Sequence, residues 1–205
     1  MLIGLMGKAR SGKDTLAGLL KGFDFERLSF ADRLYREASE MSGLSLEYLV
    51  QNKDVDSIHL SEWTQVRYVV YRKMADMGFV RKDENASDLR IRTFLQDLGT
   101  ARRMQDEGYW VNSVMDVITD NPQNNYVITD VRFPNEYFGV QQKSGVLVRI
   151  LRKNLPAIGD ASGHSSETAL DTFIADYTIH NDGEPMDMIY QLVRFPDGFF
   201  RRLHS

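Results

Sequence analysis

The chain has 205 residues, 42% hydrophobic and 26% charged, enough for one ordinary domain or two very small ones and unlike a disordered chain. Lys and Arg number 25 against 29 Asp and Glu, a formal net charge of −4. That balance argues against a general coat for nucleic acid, although a local basic groove would be hidden in the sum. With no cysteine, disulfides, thiolate-bound zinc and a thiol nucleophile are excluded, and a reducing compartment is compatible. No apolar run approaches the roughly 18 residues of a membrane span. The N-terminus reads directly into MLIGLM, without a basic leader or a small-residue cleavage site. The expectation is a soluble, cytoplasmic single domain.

In chain order, Leu2–Met6 is a short apolar run ending at Gly7, as a buried strand requires. Lys13 to Lys21 follows with Leu16, Leu19 and Leu20 on one helical face and Gly22 placed to cap it. Phe25 to Phe30 suits a short second strand. Trp63, Val66, Val70, Met74 and Met77 repeat at helix spacing, with Ser61 as N-cap. Ile91, Phe94, Leu95 and Leu98 repeat likewise and stop at Gly99, and a further helix runs from about Glu107 to Asp120. Tyr126–Val131, Val146–Leu151 and Tyr177–His180 read as strands, bounded by Asn, Asp, Gly or Pro. A last helix covers Met186 to Phe195. Strands alternating with helices predict a parallel α/β sheet. The segment from about 32 to 120 is helical throughout, which predicts a helical insertion within one domain spanning residues 1–205.

The strongest chemical signal is Gly7-Lys8-Ala9-Arg10-Ser11-Gly12-Lys13-Asp14-Thr15. It matches G-x-x-x-x-G-K and lies between a strand and an amphipathic helix, where a phosphate-binding loop works. The glycines let backbone N–H groups curl around the phosphates, the helix N-terminus adds its dipole, and Lys13 neutralises the outer phosphates. After Lys13 the usual Ser or Thr is replaced by Asp14, with Thr15 next. Either could meet magnesium, directly or through water. Gly4, Gly7 and Gly12 do not form G-x-G-x-x-G, and no N-K-x-D guanine motif exists, so dinucleotide and GTPase readings fail.

These residues, with others downstream, resemble the phage deoxynucleoside monophosphate kinases, a branch of the P-loop nucleoside monophosphate kinase fold. The resemblance is carried by ARSGKDT, by Phe94-Leu95-Gln96-Asp97-Leu98-Gly99-Thr100 with Tyr109-Trp110-Val111, and by Val127 to Arg132 with Asn135-Glu136. His164 to Glu167 and Ile179 to Gly183 complete the order. These blocks cover about half the chain, and residues 35–89 carry no match. The resemblance implies a parallel sheet flanked by helices, a helical acceptor-binding insertion and a small lid at about 153–167. It implies ATP and Mg²⁺ as cofactors, transfer of phosphate to deoxynucleoside monophosphates for DNA precursor synthesis, a homodimer, and the host cytoplasm. Neither a membrane nor nucleic acid is expected as a partner.

Phosphoryl transfer needs positioning and charge neutralisation more than covalent help, so arginines are the expected tools. Arg67 to Arg103 holds nine Lys or Arg against five Asp or Glu, and Arg72, Lys73, Arg81 and Lys82 read as solvated surface. Arg92 lies one turn before Gln96, and the resemblance implies that Arg92 binds the acceptor phosphate while Gln96, Gly99 and Thr100 meet the acceptor nucleotide. Thr93 stands where the family tends to have a second basic residue. Arg33 is either a further acceptor-phosphate ligand or a surface helix start. Asp130 ends a strand at the edge where α/β sheets bind ligands. It could hold magnesium through water, whereas the resemblance implies that Asp130, Arg132 and Glu136 line the acceptor site; a plain Asp130–Arg132 pair is the structural alternative. Trp110 either stacks on the acceptor or fills the core. Arg152, at a strand end before a Pro- and Gly-containing loop, is the candidate for reaching the ATP phosphates, ahead of Arg149, which could equally be a surface residue. Lys13, Arg92 and Arg132 form the expected catalytic set; Gly7, Lys8, Arg10, Ser11, Gly12, Asp14, Thr15 and Arg152 join Lys13 on ATP. The competing readings are a kinase of a non-nucleotide or coenzyme A-precursor acceptor, and a non-catalytic ATP-binding protein.

Overall fold

The computed structural model describes residues 1–53, 55, 61–79, 90–153, 155 and 169–195, with the backbone alone for 61–65. Its strands are β1 (Leu2–Met6), β2 (Phe25–Leu28), β3 (Asn125–Ile128), β4 (Val146–Leu151) and β5 (Tyr177–His180). The helices are α1 (Lys13–Leu20), α2 (Phe30–Ser42), α3 (Leu46–Asn52), α4 (Ser61–Asp76), α5 (Ile91–Gln105), α6 (Tyr109–Asp120), α7 (Pro134–Gln142) and α8 (Pro185–Val193). The chain divides into two compact units, Met1–Phe30 with Val114–Ser205, and Ala31–Ser113.

The first unit holds a five-stranded, wholly parallel sheet in the order β2-β3-β1-β4-β5. Every residue of the central strand β1 is buried, which is why it reads as continuous apolar sequence. One core joins Ile3, Leu5, Val127, Val148, Ile150 and Ile179 of the sheet to Leu16, Ala17 and Leu20 of α1 and Met188, Ile189 and Leu192 of α8. The connection leaving β1 runs to one side of the sheet, toward β2, whereas those leaving β3 and β4 run to the other. The order therefore reverses at β1, and a crevice opens at its carboxyl end. The second unit is helical, with a core of Ala38, Leu49, Val70, Met74, Ile91, Phe94, Leu95, Leu98 and Ala101.

Several element boundaries differ from the sequence expectation. β3 ends at Ile128, not Val131; Thr129 N–H still reaches Leu28 O (3.1 Å) and Val131 N–H reaches Leu5 O (3.2 Å), but the chain has already left the ladder. The second strand likewise stops at Leu28 because Phe30 begins α2. Gly22 does not cap α1. It lies inside a 3₁₀ turn, Lys21–Phe23, closed by Asp24 at φ 61, a left-handed position that aspartate tolerates. α5 does not stop at Gly99 but continues to Gln105, because Ala101 beyond it is buried in the helical core and that packing outweighs the roughly 1 kcal/mol cost of a mid-helix glycine. α6 begins at Tyr109 rather than Glu107, and the last helix covers Pro185–Val193. α7 was not expected, although Pro134 and Glu136, at the first and third helical positions, are a start signal.

Candidate active site

Gly7 to Thr15 curls from β1 into α1 at the crevice. Gly7 has φ +138, and a Cβ there would lie 2.5 Å from Ile150 O; Gly12 has φ +109, with Asn181 Nδ2 2.2 Å from where its Cβ would be. Both positions therefore require glycine. Arg10 sits at φ 63, a strained conformation for a long side chain. The loop is fastened from outside, since Asn181 Nδ2 donates to Ser11 O (2.8 Å) and Arg152 Nη1 donates to Arg10 O (3.4 Å). Asn181 is in turn fixed by its N–H on Leu151 O (2.8 Å). Inside the curl, buried Lys13 donates its ammonium to Gly7 O and Lys8 O, both at 2.7 Å. Leu16 N–H is bonded to Gly12 O (2.9 Å), so the N–H groups ahead of it have no acceptor within the helix and point at the loop. The loop thus concentrates a buried ammonium, donor backbone and a helix dipole in one place, an anion site by construction.

The loop after β3 lies beside it. Asp130 Oδ1 accepts Phe30 N–H (2.9 Å) and Oδ2 accepts Ser29 Oγ–H (2.7 Å), so this carboxylate holds the β2–α2 junction. Glu136 is buried, and its Oε2 accepts the N–H groups of Arg132 (2.7 Å) and Phe133 (3.0 Å). It fixes the turn that carries Arg132 while capping α7. A cavity of about 230 Å³ is lined by Gly7, Lys8, Val131, Arg132, Arg149, Leu151, Leu170 and Asp171. Lys8 Nζ pairs with Asp171 at 2.6 Å. Arg149 Nη2 donates to Leu170 O (2.9 Å) and Phe173 O (2.7 Å). The structure therefore brings Lys8, Lys13, Arg132, Arg149 and Arg152 to the carboxyl edge of one sheet.

The remaining expected acceptor residues belong to the helical unit. Arg92, Gln96 and Thr100 recur every four residues on α5, on a face distinct from the buried Ile91, Phe94, Leu95 and Leu98. Thr100 Oγ1 donates to Gln96 O (2.9 Å). Trp110 is buried, and its indole N–H donates to Gly99 O (3.1 Å), so here the residue packs in the protein interior. The Arg33 guanidinium lies 4.2 Å from the Tyr109 ring centroid, and that of Arg102 lies 5.1 Å from it. Tyr109 Oη donates to Glu37 Oε2 (3.1 Å), and Arg102 pairs with Glu37. Arg33 is thus part of a cation–π stack, an arrangement that holds a guanidinium in place.

Asp14 is exposed, with Arg27 Nε at 4.0 Å, and Thr15 is exposed beside it. No group of three His, Cys, Asp or Glu able to hold a metal occurs among the described residues. A lone carboxylate or hydroxyl beside a phosphate loop fits magnesium, which keeps several waters and takes its other ligands from nucleotide phosphates. Among the described residues no helix is long and apolar enough to cross a membrane. The expected lid beyond Leu155, including His164, Ser165, Ser166 and Glu167, lies outside the described residues, as do Arg81 and Lys82. Sequence reading gave Asp171 no role, held Asn181 only as part of the Ile179 to Gly183 block, and left Arg149 between a phosphate-side and a surface residue. All three act through backbone carbonyls or a partner distant in sequence, which no local pattern reveals.

A parallel sheet reversing at its central strand, with a phosphate loop leading into α1, places the chain in the P-loop nucleotide-binding class. A model of the family described as deoxynucleotide monophosphate kinase matches residues 21–192. The deoxynucleoside-5'-monophosphate kinase of Escherichia phage T5 is 30% identical over 174 residues, 66% of this chain and 70% of that protein. A protein of Acanthamoeba polyphaga mimivirus, provisionally named a deoxynucleotide monophosphate kinase, is 31% identical over 175 residues, 83% of this chain and 82% of that protein. Among solved structures, dephospho-CoA kinase from Campylobacter jejuni aligns over 98% of this chain and 96% of its own, with 13% identity and a TM-score of 0.43. The chain belongs to the deoxynucleotide monophosphate kinase family.

Proposed function

We propose that the protein transfers the γ-phosphoryl group of ATP to the phosphate of a deoxynucleoside monophosphate, releasing ADP and the deoxynucleoside diphosphate. One observation carries the reading: the family match spans residues 21–192, covering Arg92 to Thr100 and Asp130 to Glu136, while the phosphate loop lies outside it. The loop geometry and the family match are therefore independent, and they agree on phosphoryl transfer.

In this reading an oxygen of the acceptor phosphate forms a bond to the γ-phosphorus as the bond from that phosphorus to the bridging β-oxygen breaks, leaving its electrons on ADP. The acceptor is already anionic, so the protein's task is to orient two polyanions and neutralise their charge. Gly7, Lys8, Arg10, Ser11, Gly12 and Lys13 bind the ATP phosphates through the loop backbone and the two ammonium groups, and Arg152, just after β4, supports them through Arg10 O. Asp14 or Thr15 would hold magnesium, which when bound supplies charge neutralisation between the outer phosphates. On the helical unit, Arg92 and Arg33 serve as acceptor-phosphate ligands, Gln96, Gly99 and Thr100 meet the nucleotide, and Trp110 supports that face through its bond to Gly99 O. On the sheet unit, Arg132 contacts the acceptor phosphate, with Asp130 and Glu136 holding its surroundings rigid. Rigid placement matters because a bidentate arginine gains its energy from geometry.

The test is ADP release from Mg-ATP with each deoxynucleoside and ribonucleoside monophosphate added in turn. Stimulation by one or more deoxynucleotides is expected. ATP binding without stimulation by any monophosphate would contradict the reading and favour a different acceptor.

A further inference from the structure

We propose that Arg149 is a further phosphate-contacting residue of the transfer reaction, an inference that rests on the kinase reading above. Arg149 is paired with Met6 across β4 and β1, so it stands one residue before the level at which the phosphate loop leaves the sheet. Its neighbours Val148 and Ile150 are buried in the core that α1 and α8 cover, and strand alternation sends Arg149 to the opposite face. A half-buried guanidinium in the interior of a parallel sheet is costly to desolvate, and such charges are ordinarily paired with a carboxylate. Three other cations follow that pattern: Lys8 has Asp171, Arg102 has Glu37 and Lys153 has Asp182. Among the described residues Arg149 does not. Its hydrogen bonds are both from Nη2, to Leu170 O and Phe173 O. Carbonyl dipoles fix the plane of the group without cancelling its charge, and Nε and Nη1 make no hydrogen bond to the described residues.

That held, uncompensated charge lines the cavity of about 230 Å³ that also exposes Lys8 and Arg132. At about 30 Å³ per liquid water, the cavity has room for an anion of phosphate size. Among the described residues, three cations and a single carboxylate, Asp171, line it. Phosphoryl transfer places its greatest negative charge where two phosphates meet, and a guanidinium preorganised by carbonyls neutralises that charge without reorganising during the reaction. Arg149 therefore does two things: it pins the Leu170–Phe173 turn and presents its remaining donors to phosphate.

The experiment uses the full chain and four proteins, wild type, Arg149→Met, Arg149→Lys and Phe173→Ala. Inorganic pyrophosphate affinity is measured by calorimetry, ADP release with ATP and a deoxynucleoside monophosphate by steady-state kinetics, and folding by circular dichroism. Phe173 packs on Tyr137 at 4.9 Å and on Phe138 at 6.0 Å between ring centroids, so its truncation loosens the turn while leaving in place the Phe173 carbonyl that the guanidinium bonds. Arg149→Met is expected to weaken pyrophosphate on the order of tenfold and to lower kcat/KM on the order of a hundredfold. Arg149→Lys should recover only part of this, since lysine restores charge but not the planar fork, while Phe173→Ala, which keeps both carbonyls and the whole guanidinium, loses clearly less than Arg149→Met. A folded Arg149→Met protein within about twofold of wild type in both measurements, at the scale of one weak contact, would overturn the proposal. So would a Phe173→Ala loss equal to that of Arg149→Met, which would place the effect in the turn. Should Arg149→Met fail to fold, wild-type turnover by a folded Arg149→Lys protein overturns it, and a loss there that clearly exceeds that of Phe173→Ala supports it. If wild type itself shows no acceptor-stimulated turnover, the kinase reading fails and the pyrophosphate arm alone judges Arg149.

Discussion

Lys8 and Asp171 lie 163 residues apart in sequence, yet their charged ends meet at 2.6 Å at the mouth of the phosphate loop. Their side chains are 45% and 49% exposed, so the pair is solvent-screened and worth at most about 1 kcal/mol. Its position matters more than its strength, because a nucleotide phosphate that recruits Lys8 must compete with that carboxylate. Asp171→Asn is therefore expected to tighten ATP binding by up to roughly fivefold, with the gain shrinking as salt rises. Calorimetry at low and high salt checks this, and weaker ATP binding in the variant would show that Asp171 assists the ligand. Lys13 and the two loop glycines were legible in the sequence because a fixed spacing carries their chemistry. Asp171 was not, since nothing in its neighbourhood announces a partner brought to it by the sheet. Asp130 and Glu136 were found as acidic residues near a strand end, but their bonds to Ser29, Phe30, Arg132 and Phe133 became visible only in the fold.

Among the elements, β1, β4 and β5 match their expected spans residue for residue. Each is a Val-, Ile- or Leu-bearing run with turn residues on either side, so local signals and burial agree. The disagreements fall where tertiary packing overrides a local signal, as when α5 runs through Gly99. α7 was overlooked because its apolar residues are few; buried Tyr137, Gly139 and Val140 make only a narrow stripe. What starts α7 is a carboxylate rather than a pattern. Glu136→Ala would leave the N–H groups of Arg132 and Phe133 without their acceptor, at a cost of about 1–3 kcal/mol. Glu136→Gln keeps one oxygen acceptor and should lose less. Urea unfolding midpoints decide this, and an unchanged midpoint for the alanine variant would mean that the cap is dispensable. The same carboxylate sets the backbone under Arg132, so this capping bond also positions a functional side chain.

For the whole molecule, the class of fold was legible because the order strand, phosphate loop, helix and then alternating elements admits few topologies. The two compact units were less so. A continuous helical stretch from residue 32 to 120 gives no sign that α6 begins in one unit and ends in the other, with the division at Ser113 and Val114. The basic character of the site was also hidden. A chain with net charge −4 gathers Lys8, Lys13, Arg132, Arg149 and Arg152 at one sheet edge, and only the strand order puts them together. The carboxyl edge is thereby organised to neutralise phosphate, with Lys13 at its most buried point. The most direct test is deoxynucleotide-stimulated ADP release by Lys13→Ala beside wild type, with circular dichroism to confirm that both are folded. Turnover by the folded variant should fall on the order of a hundredfold or more, and near-wild-type turnover would contradict the assignment of the loop.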